Sequence, residues 1–169
     1  MANNGLGTYA VQYQYGDTNP IVAPILLAQE VNIGDIVGES ALGNIYRAED
    51  ETWDTDYLTT VQNFVENYLG LSGQLKESLK ESVYGNSTPG VVRVDTSAVF
   101  QFPCAAHSYK IGDYVQPAQG AGNYLVSQAV APAADVAHAI GVVTQATVLG
   151  TTVLVRLLST KMPLSKAAV

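Results

Sequence analysis

The chain has 169 residues, 47% of them apolar and only 14% charged, and 15 acidic against 8 basic residues leave a formal net charge of −7. With no run of Lys or Arg to release counterions, such a chain repels phosphate backbones, which argues against nucleic-acid binding. Ordinary soluble domains carry roughly a quarter charged residues; so poor a supply gives a modest edge to a surface covered by partner subunits over a monomer with a Thr-, Gln- and Asn-rich exterior.

The opening MANNGLGTYA has neither a basic region nor an apolar core, so no secretory signal is expected. Residues 1–20 read as an N-terminal extended arm. Within it TYAVQYQY, Thr8 to Tyr15, sets Tyr9, Val11, Tyr13 and Tyr15 at alternate positions, the period of a strand with one aromatic face. That strand either opens the domain's own sheet or lies on a neighbour and extends its sheet. A turn cluster, Gly16 to Pro20, leads into IVAPILLA from Ile21, whose Pro24 fits only an edge strand or a bulge.

Residues 21–160 read as a β-rich body that contains an internal repeat, 31–94 and 109–157. VNIGDIV, Val31 to Val37, returns as YKIGDYV, Tyr109 to Val115. In order after it, Gly43-Asn44-Ile45-Tyr46 corresponds to Gly122-Asn123-Tyr124-Leu125. Leu69 to Gln74 then corresponds to Ile140 to Gln145, and VVRV at Val91 to TVLVRL at Thr152. Each landmark implies a structural task. Ile33 and Ile111 are expected to anchor their turns in the core, Gly34 and Gly112 to accept positive φ, and Asp35 and Asp113 to accept backbone N–H bonds as the next strand begins. The Gly-Asn pairs mark tight turns in which Asn tolerates left-handed geometry. Gly70 and Gly141, inside strands, imply a bulge or a close approach of two backbones, as when a small sheet closes on itself. The fold class expected is mainly β: a small β-barrel or sandwich built from two related β units, with one or two short helices inserted.

Eight of the acids fall between Glu30 and Asp56, which reads as a solvated loop face. EDETWDTD, Glu49 to Asp56, lacks the glycine and closing glutamate of a Ca²⁺ loop, so no metal site is expected. The helical insertion is placed at about residues 59–84. TTVQNFVENYL, Thr59 to Leu69, has helical spacing at Val61, Phe64, Val65 and Tyr68, with Gly70 either its stop or already in the next strand. QLKESLKESVY, Gln74 to Tyr84, reads as an amphipathic helix with Leu75, Leu79 and Val83 on one face and Lys76 and Lys80 on others. Cys104, the only cysteine, excludes an intrachain disulfide and reads as a buried small apolar residue. His107 and His138, each beside alanine, carry no suggestion of a metal or general-base role. The run Val142 to Val155 is interrupted by Thr, Gln and Gly, so no membrane span is expected. The tail, 161–169, lacks a period and reads as a flexible or partner-bound extension.

No nucleophile elbow, phosphate loop, dinucleotide fingerprint, HExxH or cysteine pair occurs, so neither an enzyme nor a cofactor is expected.

The order of these motifs resembles the capsid cement (decoration) proteins of tailed bacteriophages. The second copy carries the resemblance best, as VFQFPCAAHSYKIGDYVQP, AVAPAADVAHAIGVVTQA and TTVLVRLLST, roughly Val99 to Thr160. The first copy matches more loosely, because residues 48–60 and 74–84 are additional. The resemblance implies a virion protein, made in the host cytoplasm, that binds the exterior of the expanded head at junctions between major capsid protein subunits. It further implies a homo-oligomer, with a trimer favoured over a dimer. Contacts with the shell are expected from Tyr9, Val11, Tyr13, Tyr15, Ile21, Trp53 and Tyr57, because aromatic side chains make rigid amphipathic anchors. Another virion component, of the tail or a head fibre, would suit the same β composition. A β-barrel carrier of the biotinyl or lipoyl type shares the GD-x-V turn, but Lys161-Met162 lies near the end of the chain rather than in a hairpin between matched strands.

Overall fold

The computed structural model describes residues 10–26, 28–76 and 90–159, and every structural statement below concerns these residues. They form eleven strands: β1 Gln12–Tyr15, β2 Pro20–Pro24, β3 Ile36–Glu39, β4 Ile45–Arg47, β5 Tyr68–Ser72, β6 Val91–Asp95, β7 Val99–Tyr109, β8 Tyr114–Gln119, β9 Leu125–Pro132, β10 Gly141–Val143 and β11 Thr147–Leu157. One α-helix, α1 Tyr57–Glu66, and two 3-10 turns, Ala48–Asp50 and Val136–His138, complete them. The chain is mainly β, as its alternating and glycine-punctuated segments require.

The strands make two sheets with the same wiring. The first runs β2-β6-β5-β3-β4 and the second β7-β11-β10-β8-β9, with β1 added beside β7. In the second, a parallel pairing of β7 with β9 at Cys104 and Val130 closes the five strands into a barrel. The first stays open. Register matches as well as order. Ile36 opposes Leu71 and Val37 opposes Gly70, while Tyr114 opposes Val142 and Val115 opposes Gly141.

The turns that precede β3 and β8 are built alike. Gly34 and Gly112 sit at φ 89° and 92°. Asp35 Oδ2 accepts the Asn32 N–H at 2.7 Å, and Asp113 Oδ2 accepts the Lys110 N–H at 2.7 Å. Gly34 N–H donates to Ser72 O at 2.7 Å and Gly112 N–H to Val143 O at 2.9 Å, and each acceptor residue donates back to the carbonyl of its turn aspartate. The isoleucines depart from expectation. Ile33 is half-buried and Ile111 is 72% exposed, because the turn frame rests on the glycine and the aspartate and leaves the preceding side chain outside.

Gly70 and Gly141 mark close backbone approaches. A Cβ on Gly70 would lie 2.2 Å from Asp95 O, and one on Gly141 would lie 2.2 Å from Val155 Cγ1 and 2.7 Å from Arg156 O. The Gly-Asn correspondence shifts by one residue. Ser40 N–H donates to Asn44 O and Gly120 N–H to Tyr124 O, so Asn44 matches Tyr124, and closure of a five-residue tip sets the alignment. Gly43 takes positive φ there, at 82°, and neither Asn does.

Helix α1 starts where Asp56 accepts the Thr59 N–H at 2.8 Å, an N-cap that meets one of the orphan donors of the first turn. It buries Thr60, Val61, Phe64 and Val65 and stops at Asn67, before Gly70, which lies within β5. Gly38 of β3 admits the helix. Its absent Cβ would lie 3.1 Å from the Phe64 ring and 3.2 Å from Asn67 O. The Gln74–Tyr84 helix falls mostly outside the described residues, but Lys76 is not on a solvent face. Its backbone bridges to Val31, the residue is 3% exposed, and Nζ donates to the carbonyls of Leu26 and Gln29, which offsets the cost of burying the ammonium.

The main core joins the barrel interior, including Phe102, Tyr109, Val115, Leu125 and Ile140, to Val61 and Phe64 of α1 and to Ile36 and Leu71 on one face of the first sheet. A second cluster, with Val37, Ile45, Leu69, Val92 and Val94, covers the other face. The middle strands β3 and β5 are therefore buried on both sides, which is why apolar residues and glycine fill them up to a polar last residue, Glu39 and Ser72.

Candidate interaction surface

β1 brings the tyrosines to the edge of the barrel. Gln12 pairs with Gln101 and Tyr13 with Phe100, and a register shift then brings Tyr15 opposite Val99. This portion of the arm thus belongs to the chain's own sheet; Tyr9 and the remainder of the arm's start lie outside the described residues. The expected single aromatic face is broken. Val11 is buried against the Gly34 turn, while Tyr13 and Tyr15 remain 54% and 51% exposed. Tyr13 packs edge-on against Phe100 at 5.7 Å and its hydroxyl donates to Gly16 O at 2.8 Å, which leaves the other face of the ring outward.

Beside β1 a groove of about 300 Å³ is lined by Gln12, Tyr13, Ile33, Ser72, Arg93 and Asp95, among others. Arg93 pairs with Asp95 across it at 2.9 Å. Burial pushes the Asp95 carboxyl above the usual carboxylate range, with Arg93 opposing the shift.

The remaining residues expected at the shell contact are scattered. Ile21 is half-buried and packs on the second core cluster. Tyr57 is half-buried at the start of α1, where its hydroxyl donates to Pro117 O at 2.6 Å and fastens the helix to β8. Trp53 is half-buried in the loop before the helix. Val11 is a core residue, placed there by the close approach of Gly34, and has no surface left for a partner. Only Tyr13 and Tyr15 are brought together in the open.

The acidic stretch is organised rather than simply solvated. Arg47, whose side chain is 16% exposed, lies 3.6 Å from Glu30 and 2.9 Å from Asp50, and also contacts Glu49. Tyr46 donates to Glu51 at 2.6 Å and Arg47 to Asp50 from two nitrogens, so most of these acids already have partners. Among the described residues no group of three or more His, Cys, Asp or Glu is placed to hold a metal ion. Cys104 is partly buried at the barrel seam, its thiol directed at Gly150 O and pushed up in pKa, chiefly by burial. His107 stacks edge-on with Tyr109, and His138 Nδ1 lies 2.7 Å from Asp135, whose carboxyl is held low first by that hydrogen bond.

Sequence reasoning missed Gly38, Asp95 and Gln128. Gln128 donates to Asp35 Oδ1 at 2.6 Å and so ties the barrel to the turn of the first sheet, a contact over 93 residues that no local pattern announces. Compared with known proteins, the chain matches no family model and no curated protein.

Proposed function

We propose that this protein is a capsid cement protein of the tailed-phage type. It binds the exterior of an expanded head where major capsid protein subunits meet and holds that form of the shell. The observation that carries the reading is the motif order in the second unit: the I-G-D-x-V turn, the I-G-V-V strand and the closing T-V-L-V strand follow one another as in those proteins. They build one continuous barrel with its charge-poor exterior turned outward.

The mechanism needs no reactive group. A protein that binds the expanded shell and not its precursor stabilises the expanded form by mass action. Repetition over a symmetric surface converts modest single contacts into lasting attachment. The exposed rings of Tyr13 and Tyr15 and the groove beside them are the contacts assigned to the shell, while Ile21, Trp53 and Tyr57 act from within the fold. Localisation to the virion exterior and a non-enzymatic role belong to the same reading.

Imaging of expanded heads that lack the protein, after incubation with it, tests the proposal. Added density at junctions between capsid subunits is the expected result, and bare junctions at saturating protein would refute it.

A further inference from the structure

The barrel is not closed along the whole of its seam. A single residue pair, Cys104 with Val130, joins β7 to β9, and Pro103 beside it has no N–H with which to extend the pairing. The other edge of β7 is loose at the same place. Between His107, which faces Gly150, and Pro103, which faces Thr152, β7 spends three residues where β11 spends one. That bulge leaves Cys104, Ala105 and Ala106 without a place in the ladder with β11.

Away from that pair the seam has two lips, and the first unit touches both. β1 lies along the β7 lip, where Gln12 faces Gln101, and Val11 just before it packs on Gly34, whose absent Cβ would lie 2.9 Å from Val11 Cβ. On the β9 lip, Gln128 donates to Asp35 Oδ1 at 2.6 Å, and Ser127 Oγ accepts the Glu49 N–H at 3.1 Å. Gly34 and Asp35 are consecutive, so one turn reaches from lip to lip. The turn is itself anchored in the first sheet, because Gly34 N–H donates to Ser72 O and Ser72 N–H to Asp35 O. Its counterpart in the second unit spans nothing: a Cβ on Gly112 would meet no atom within 4 Å.

We propose that the Gly34–Asp35 turn is a latch across a half-closed barrel, and that release of β9 from it opens the seam while the central strands stay folded. A strand edge with few backbone bonds opens at a lower free energy than the core around it. Here the missing backbone pairs are replaced by side-chain contacts with another unit. Closure of the barrel is thereby coupled to the first sheet, and a displacement of the Asn32–Asp35 turn is transmitted through Gln128 to Val130 and the pair it makes with Cys104. The latch belongs to the single chain and does not rest on attachment to a shell.

Hydrogen exchange of the full chain, followed segment by segment at low urea concentrations, is the test. Gln128→Ala removes the latch bond, and Ser159→Ala serves as control because it removes a bond between the units, Ser159 Oγ to Leu69 O, outside the seam. In wild type, segments 102–107 and 125–131 are expected to exchange with a shallower urea dependence than β3 and β5, since seam opening exposes less surface than global unfolding. Gln128→Ala is expected to speed those two segments about tenfold or more, the worth of one hydrogen bond to a carboxylate. Ser159→Ala is expected to speed β3 and β5 and leave the seam segments at the wild-type rate, because its bond survives the opening. Seam segments that share the urea dependence of β3 and β5 would show that the barrel opens only by unfolding and overturn the proposal. So would seam rates that Gln128→Ala leaves unchanged, or that Ser159→Ala raises as much as Gln128→Ala does.

Discussion

Asp35 and Asp113 occupy the same position in two matching turns, yet their surroundings give them different weights. Asp35 is buried and serves two donors, the Asn32 N–H and the Gln128 amide, whereas Asp113 is half-exposed and caps the Lys110 N–H. Leaving buried donors unmet is the costly event. Asp35→Ala is therefore expected to cost about 2–3 kcal/mol and Asp113→Ala about 1 kcal/mol in urea unfolding. Burial also raises the Asp35 carboxyl pKa, against the pull of its hydrogen bonds. The folded state thus holds the proton more tightly than the unfolded chain. The group's contribution is full below the ordinary carboxylate value and is lost as pH rises through the raised one. The stability of wild type relative to Asp35→Asn should accordingly fall as pH rises above the ordinary carboxylate value of about 4. A pH-independent difference would show that the carboxyl is not perturbed.

The glycines divide by cause. Gly70→Ala and Gly141→Ala press a methyl into a neighbouring strand and are expected to cost about 3 kcal/mol or more, since backbone must move. Gly112→Ala meets open space and bears only its positive φ, at about 1 kcal/mol. Thermal unfolding of the three variants checks the order.

At the scale of elements, β1 and Val11 just before it have two separable jobs. Val11 seals the Gly34 turn, so Val11→Ala should cost about 1–3 kcal/mol in denaturant unfolding. Tyr13→Ala combined with Tyr15→Ala should change stability by about 1 kcal/mol, through the edge contact with Phe100, while weakening attachment to heads in a pelleting assay. Equal losses of stability in the two experiments would mean that the tyrosines only support the fold. The opposite sheet edge is guarded. Gly73 N–H donates to Arg93 O, so Arg93 faces β5, and its partner Val22 faces outward together with Pro20 and Pro24. Those prolines leave the outer edge of β2 short of donors, a known defence against strand addition.

Much of this was legible because the period of a strand and the needs of a turn are local. The I-G-D-x-V turns, the strand glycines and the edge proline all reveal themselves within a few residues. The start of α1 was misjudged by two residues, since Asp56 rather than the apolar spacing sets it. Ile111, Lys76 and Val11 were misplaced for one reason: each depends on what another part of the chain lays over it. Alternation along TYAVQYQY cannot foresee the register shift in β1, and the acidic stretch looks solvated until Arg47 is seen among its carboxylates.

For the whole molecule, two equivalently wired sheets share a core through α1, and buried polar side chains such as Thr60, Thr96 and Ser127 bond to backbone groups. What distinguishes the exterior is scarcity of charge and half-exposed aromatic rings at the barrel edge. The proposed role in a shell requires such a body to tell two states of that shell apart. Co-sedimentation of the purified protein with expanded and with unexpanded heads, each lacking it, measures that discrimination directly. Saturable binding to expanded heads, with little to the unexpanded form, is the expected result; equal binding to both, or to neither, would contradict it.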